Sequence, residues 1–258
     1  MSDATEAWRA DHPWAGIYNF FVQRATVSRG LGWLLWGTDL DKLYRTVERA
    51  LGSLAPGAAV LDVPCGGGVA FRGLRRGQDV RYVAADVSPA MLDRARAEAS
   101  RRGLEQIEYA EADVAAMPFE DETFDLCLSF TGLHCFSDPQ AAVYEMTRCL
   151  RRGGRLVGSS LLTRAGLRYE PLIVAGRVGG LMGPAGSADD VRRWLAEAGL
   201  EQVGLERSGA LGYFRATRPE ASGPPRRGGR TPAQARARRA TPSGSRRTTS
   251  PRSGRSAR

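Results

Sequence analysis

VLDVPCGGGVAF, residues 60–71, is an apolar run that stops at an acid, Asp62, turns through Pro64, Cys65 and three glycines, and becomes apolar again. A short apolar run ahead of turn residues reads as a buried strand. The glycines that follow mark a loop suited to a tight turn or to close approach of a ligand. A carboxylate therefore stands at the mouth of a glycine loop, and the kind of ligand that tolerates it is the first question the chain raises.

Working outward, the texture alternates. AVLDV (59–63) is followed by a helical FRGLRRG (71–77), a strand VRYVAADV (80–87) and a helix SPAMLDRARAEASRRG (88–103). In that helix Ser88 is the expected N-cap, Pro89 the first helical residue and Gly103 the stop. IEYAEADV (107–114) and FDLCLSF (124–130) read as strands, PQAAVYEMTRCLRRGG (139–154) as a helix, and RLVGSSLL (155–162) as a fifth strand. Strands alternating with helices predict βαβ units and a parallel sheet covered on both faces. TRAGLRYEPLIVAGRVGGLMGPAG (163–186) is apolar and too rich in glycine for a stable uninterrupted helix. SADDVRRWLAEAGL (187–200) is a helix capped by Ser187 and stopped by Gly199, and EQVGLERSGALGYFRAT (201–217) is two strands joined by a tight turn. Upstream, Thr38 is a plausible N-cap for a helix whose apolar face is Leu40, Leu43, Tyr44, Val47, Leu51 and Leu54.

Ligands of open α/β sheets bind beyond the carboxyl ends of the strands, so the glycine loop is a natural site. A P-loop would need Gly-Lys followed by Ser or Thr, and the only lysine is Lys42. A dinucleotide fingerprint would need a third spaced glycine where Phe71 stands, and Asp62 would face the pyrophosphate without a cation nearby. S-adenosylmethionine fits better, because it brings a sulfonium and an ammonium toward the acid while backbone amides of the loop can still meet its carboxylate. Asp86 and Asp113 close the next two predicted strands, where they could accept from ribose hydroxyls and from an adenine amino group.

VLDVPCGGG, VAADVSPAMLDRAR (83–96), EADVAAMPFEDETFDLCLS (111–129) and RCLRRGGRLVGSS (148–160) together resemble, in order and spacing, the motifs of class I S-adenosylmethionine-dependent methyltransferases. The similarity is to the small-molecule enzymes of the ubiquinone/menaquinone-biosynthesis type and covers residues 38–217. It implies a Rossmann-like, doubly wound, mostly parallel seven-stranded sheet with an antiparallel C-terminal hairpin. The chain then divides into an aromatic-rich, helical N-terminal cap or lid (1–37), the methyltransferase domain (38–217) and, by composition, an Arg-rich tail (218–258). Asp62, Gly66, Gly67 and Gly68 would shape the methionine end, Asp86 would bind the ribose, and Val87 or Met91 would pack on the adenine. Asp113 with the Val114 amide would read the adenine edge, with Phe130 as a further contact. Pro64 departs from the pattern by standing at the usual first glycine, where it removes an N–H.

The expected chemistry is in-line methyl transfer to a small, partly apolar acceptor, in which orientation supplies much of the catalysis. His134, in SFTGLHCF past the fourth strand, is the candidate general base, and Tyr18 is a candidate for covering the methionine end or orienting the acceptor. Trp14, Phe20, Phe21, Trp33 and Trp36, with residues 172–182, are expected to line the acceptor pocket. Alternatives are a non-catalytic binding protein of the same fold, an RNA methyltransferase assisted by the tail and an NAD-binding oxidoreductase. Ser129-Phe130-Thr131-Gly132 lacks the prolines of base amino-methyltransferases, and Pro64-Cys65 lies in the wrong loop for a cytosine nucleophile.

Charge is segregated. The chain carries +9, but residues 218–258 hold twelve arginines and one acid, which leaves the first 217 residues at −2. The tail has too little apolar surface to offset its ordering entropy and reads as disordered, with nucleic acid a partner only through its arginines. Cys65, Cys127, Cys135 and Cys149 have no metal-ligand spacing, and His12 and His134 are far apart, so neither a disulfide framework nor a metal site is expected. An acidic N-terminus and the lack of roughly 18 uninterrupted apolar residues point to a cytoplasmic protein. PLIVAGRVGGLMG, the best candidate span, is short and broken by Arg177.

Overall fold

A computed structural model of the chain describes Trp8, residues 37, 38 and 40–180, and residues 182–220. The elements run α1 (Leu40–Gly52), β1 (Ala58–Asp62), a 3-10 turn (Val69–Gly73), β2 (Val80–Asp86), α2 (Pro89–Arg102), β3 (Ile107–Glu111) and β4 (Phe124–Phe130). They continue with α3 (Pro139–Cys149), β5 (Leu150–Leu161), α4 (Glu170–Val178), α5 (Ala188–Glu197), β6 (Glu201–Ser208) and β7 (Leu211–Thr217). Seven strands make one sheet in the order β3-β2-β1-β4-β5-β7-β6. The pairings from β3 to β5 are parallel, whereas β7 runs antiparallel to β5 and to β6. The fold expected from the sequence is the fold observed.

Parallel strands are covered on both faces, and the burial shows it. Every residue of β1 is buried, as are Leu126, Cys127 and Leu128 in the middle of β4. One face of the sheet packs Val60, Tyr82, Leu126 and Leu128 with Leu43, Val47 and Leu51 of α1 and with Ile173 of α4. The other packs Leu61, Val83, Cys127 and Leu156 with Val143 and Met146 of α3 and with Val191 and Leu195 of α5. Because β1 lies between β2 and β4, successive connections leave it in opposite directions, and a crevice opens at their carboxyl ends.

The helix ends follow local chemistry. The Ser88 hydroxyl accepts from the Met91 N–H, Pro89 opens α2, and Gly103 ends it at φ +63°. Ser187 and Asp190 form a reciprocal capping box on α5.

Elsewhere the structure departs from the sequence reading. Thr38, the expected cap of α1, is buried just ahead of the helix, and its hydroxyl donates to Ser208 Oγ at 3.1 Å, tying the helix start to the end of β6. FRGLRRG is not an α-helix, since only the tight turn Val69–Gly73 forms. Segment 163–186 is not wholly irregular, since it holds the nine-residue α4, fastened by Ile173 in the core. β5 begins at Leu150, five residues early, and β3 ends at Glu111, so Asp113 lies in the loop beyond it. Arg218, assigned to the tail, belongs to the folded domain. Its N–H donates to Gly154 O and its carbonyl accepts from Gly153 N–H, while its guanidinium reaches the carbonyls of Thr147, Arg148 and Leu150 at the end of α3 and the Glu122 carboxylate. Those carbonyls lack intrahelical partners, so an arginine there is a C-terminal cap delivered from a distance. Residues 221–258 of the tail, and the N-terminal cap apart from Trp8 and Gly37, lie outside the described residues.

Candidate functional site

The glycine loop is drawn over the ends of β1, β2 and β4. Val63 N–H donates to Leu128 O (2.9 Å), Cys65 N–H to Ala85 O (2.8 Å) and Gly68 N–H to Cys65 O (2.9 Å). Gly66 and Gly68 have φ of +50° and +85°, which other residues adopt at a cost. Their surroundings differ. A Cβ on Gly68 would lie 2.5 Å from the Phe71 ring, whereas one on Gly66 would meet nothing within 4 Å. Gly68 packs inward and Gly66 looks onto open space.

That space is a cavity open to solvent, of about 710 Å³ counted to its open mouth. Val63 to Gly66, Asp86, Val87, Met91, Asp113, Val114 and Phe130 are among its walls, and the loop after β4 closes it with Thr131, Cys135 and Phe136. Trp8 also lines it. Of the expected cofactor residues, Gly66, Asp86, Val87, Met91, Asp113, Val114 and Phe130 come together here. Asp62, Gly67 and Gly68 do not line the cavity.

Asp86 is the most completely held group on this wall. Its Oδ2 accepts from Gly66 N–H at 2.9 Å and its Oδ1 from Ser88 N–H at 3.0 Å. Burial pushes its pKa up to about 6 against the pull of those hydrogen bonds. Asp62 is set behind the loop instead, with its Oδ2 accepting from the Tyr82 hydroxyl at 2.8 Å. Burial, against the pull of the Tyr82 bond and with a smaller push from the Asp86 charge, raises its pKa to about 7. No sequence motif announces the Tyr82 bond. Asp113 is half-buried at the rim, and its Oδ1 accepts from Ala115 N–H at 3.0 Å.

His134 is not at the cavity wall. It is 4% exposed and its Nδ1 accepts from Leu161 N–H at 3.2 Å, with Ser160 Oγ at 3.4 Å. Burial lowers its pKa to about 4, which leaves a neutral imidazole whose Nδ1 lone pair is already used. The expected base is thus a strut between the β4 loop and β5. Tyr18 lies outside the described residues.

The sequence reading missed Cys65, Thr131, Cys135 and Phe136 as wall residues. Thr131 has φ +54°, a conformation costly for a β-branched side chain, and Ser159 Oγ accepts its N–H at 3.2 Å. Nothing in its sequence neighbourhood signals that. Burial raises the Cys65 thiol and pushes Cys135 up to about 12, so neither is an activated nucleophile. Pro64 has its own accommodation, because a Cβ on Gly132 would fall 2.6 Å from Pro64 Cδ and 2.5 Å from Ser129 Oγ. The loop after β4 comes this close to Pro64 only because position 132 is glycine.

The strand order with one reversed strand, and a cavity at the β1/β4 switch point, define the class I methyltransferase fold. Residues 61–158 match the family model described as a methyltransferase domain. The demethylmenaquinone methyltransferase of Thermus thermophilus is 40% identical over 125 residues, covering 48% of this chain and 56% of that protein. The 27-O-demethylrifamycin SV methyltransferase of Amycolatopsis mediterranei is 29% identical over 191 residues, 67% of this chain and 70% of its own. Among solved structures, phosphoethanolamine N-methyltransferase 2 of Haemonchus contortus, in complex with phosphomonomethylethanolamine and S-adenosylhomocysteine, superposes with a TM-score of 0.66. It does so at 14% identity over 83% of this chain and 60% of that one. The chain spans 38–56% of the length of the first curated relatives it matches. Residues 61–158 are accordingly similar to methyltransferase domains, on a fold shared with class I methyltransferases. No helix among the described residues is long and apolar enough to cross a membrane.

Proposed function

We propose that the chain binds S-adenosylmethionine in the β1/β4 cavity and transfers its methyl group to a small, partly apolar acceptor. The observation that carries this reading is the convergence of Gly66, Asp86, Val87, Met91, Asp113 and Val114 on one cavity. The wall suits the cofactor chemically. Carboxylates at Asp86 and Asp113 offer acceptors for hydroxyl and amino donors, Val87, Met91 and Val114 offer apolar surface for a purine, and the open side of Gly66 leaves room beside the backbone.

The bound cofactor supplies an electrophilic methyl group on a positively charged sulfur. The protein's part is to bind, orient and exclude water. Asp86, fixed by two backbone N–H donors, holds its acceptor edge without reorganising. Phe130, Thr131, Cys135 and Phe136 form the remaining wall, where an acceptor's apolar surface can lie against the methyl donor. The buried negative charge of Asp62 and Asp86 favours a cationic ligand over a neutral one. No described residue on the wall is assigned as a base, which suits an acceptor that is nucleophilic at neutral pH. Alignment then carries the rate.

The relatives' names support a small-molecule acceptor, since one is a demethylmenaquinone methyltransferase and another a 27-O-demethylrifamycin SV methyltransferase. The test is transfer of tritiated methyl from S-adenosylmethionine to a panel of hydroquinones, naphthoquinols and phenols. Enzyme-dependent labelling of at least one, abolished in Asp86→Ala, is the expected result. Cofactor binding without labelling of any acceptor in a broad panel would count against the activity.

A further inference from the structure

α4 carries its apolar residues the wrong way round for a core helix. Ile173 is 1% exposed and fastens the helix to the sheet, yet Pro171, Val174, Ala175 and Val178 all face solvent. Those four sit at i, i+3, i+4 and i+7 and make one continuous stripe. Val174 is 53% and Val178 85% exposed, and Leu167, in the turn before the helix, is 92% exposed. Scattered apolar residues on a surface need no explanation, but a contiguous stripe marks a contact.

The charges beside the stripe are mostly positive. Arg164, Arg168 and Arg177 lie in or next to the helix, all exposed, against a single acid, Glu170, whose carboxylate accepts from the Arg164 N–H. A second copy of the chain placed face to face would set these arginines against one another, which is unfavourable. A surface that is apolar beneath and negative at its edge fits instead.

We propose that α4 and the Leu167 turn form a docking face for an anionic phospholipid bilayer, lying in the interface with Val174, Val178 and Leu167 directed into it and the arginines at the headgroups. This does not rest on the cofactor reading. It does place the bilayer beside the cavity, because the chain leaving α4 turns back onto the cavity wall. Met182 N–H donates to Gly176 O, and Gly183 N–H donates to His134 O, in the loop that contributes Cys135 and Phe136.

The Arg-rich tail would itself bind anionic vesicles, so the test must report position. The full chain is mixed with vesicles of phosphatidylglycerol and phosphatidylcholine whose acyl chains are brominated, and tryptophan quenching is read for wild type, Val178→Trp and Arg192→Trp. Arg192 is an exposed residue of α5, on the opposite face of the sheet. Val178→Trp should show quenching beyond wild type, and Arg192→Trp none. In co-sedimentation, Val174→Asp with Val178→Asp should lower binding about tenfold at about 0.5 M NaCl, where tail electrostatics are screened. Quenching of Val178→Trp equal to wild type, or unchanged sedimentation of the double variant, would overturn the proposal. So would concentration-dependent dimerisation abolished by that variant without vesicle binding.

Discussion

The two ends of the cavity are built by different means. On the β1–β2 side the wall gathers on one carboxylate that itself faces the cavity: Gly66 and Ser88 N–H both donate to Asp86, and Cys65 N–H reaches Ala85 O. On the β4–β5 side the wall is a turn held by long-range side-chain contacts, with Ser159 Oγ on Thr131 N–H, His134 Nδ1 on Leu161 N–H and Pro64 packed against Gly132. The first construction uses residue types that any ligand of this chemistry demands. The second depends on which residues happen to meet across the sheet. We expect the first side to govern cofactor binding and the second to govern stability and the acceptor's placement.

Asp86→Ala should give the largest effect. Losing a charged acceptor for two ribose hydroxyls costs about 1.5–3 kcal/mol per hydrogen bond, so S-adenosylhomocysteine affinity should fall by about a hundredfold or more, as read by calorimetry. Gly132→Ala comes next and tests the other side. Its Cβ would overlap Pro64 and Ser129, and overpacking costs about 1–3 kcal/mol, measurable as a lower urea midpoint. His134→Phe should destabilise by about 1–2 kcal/mol, because Leu161 N–H loses its acceptor. The pH profile of turnover should keep its shape; loss of a limb near neutrality would reinstate His134 as a base.

The smallest effect is a matter of pH. Asp62 and Asp86 have folded pKa values of about 7 and about 6, above their ordinary value of 3.8. A raised carboxylate contributes stability that is present below the unfolded pKa and lost as pH rises through the folded one. The free protein should therefore lose stability between about pH 4 and pH 7 from these two groups. A cationic ligand prefers the ionised carboxylates, so its affinity should rise over the same interval. Opposite slopes in thermal melts and in binding would confirm that the same acids are responsible. Tyr82→Phe removes the bond that lowers Asp62, so affinity should drop severalfold near pH 7 and recover at alkaline pH. A loss that alkaline pH does not recover would mean Tyr82 is only packing.

The fold and the first side of the cavity could be read because their signals are local. Ser88, Pro89 and Gly103 bound α2 by cap chemistry alone, and β1 and β4 are apolar runs that admit no other assignment. Asp86 was legible since it closes a strand beside the glycine loop. Asp62 follows the same rule yet lies behind the wall, where Tyr82, twenty residues on, donates to its carboxylate. Arg218 looked like tail by composition and is a helix cap by contact. α4 defeated its glycine content because Ile173 and Tyr169 anchor it in the core. Each of these turns on a long-range partner that spacing along the chain does not reveal.

The most direct test of the account is a calorimetric titration of the full chain with S-adenosylhomocysteine at pH 8, with Asp86→Ala and NADH as controls. Micromolar binding by the wild type, lost in the variant and absent for NADH, is the predicted result. No binding by the wild type, or binding that Asp86→Ala leaves intact, would contradict the assignment of the β1/β4 cavity to this cofactor.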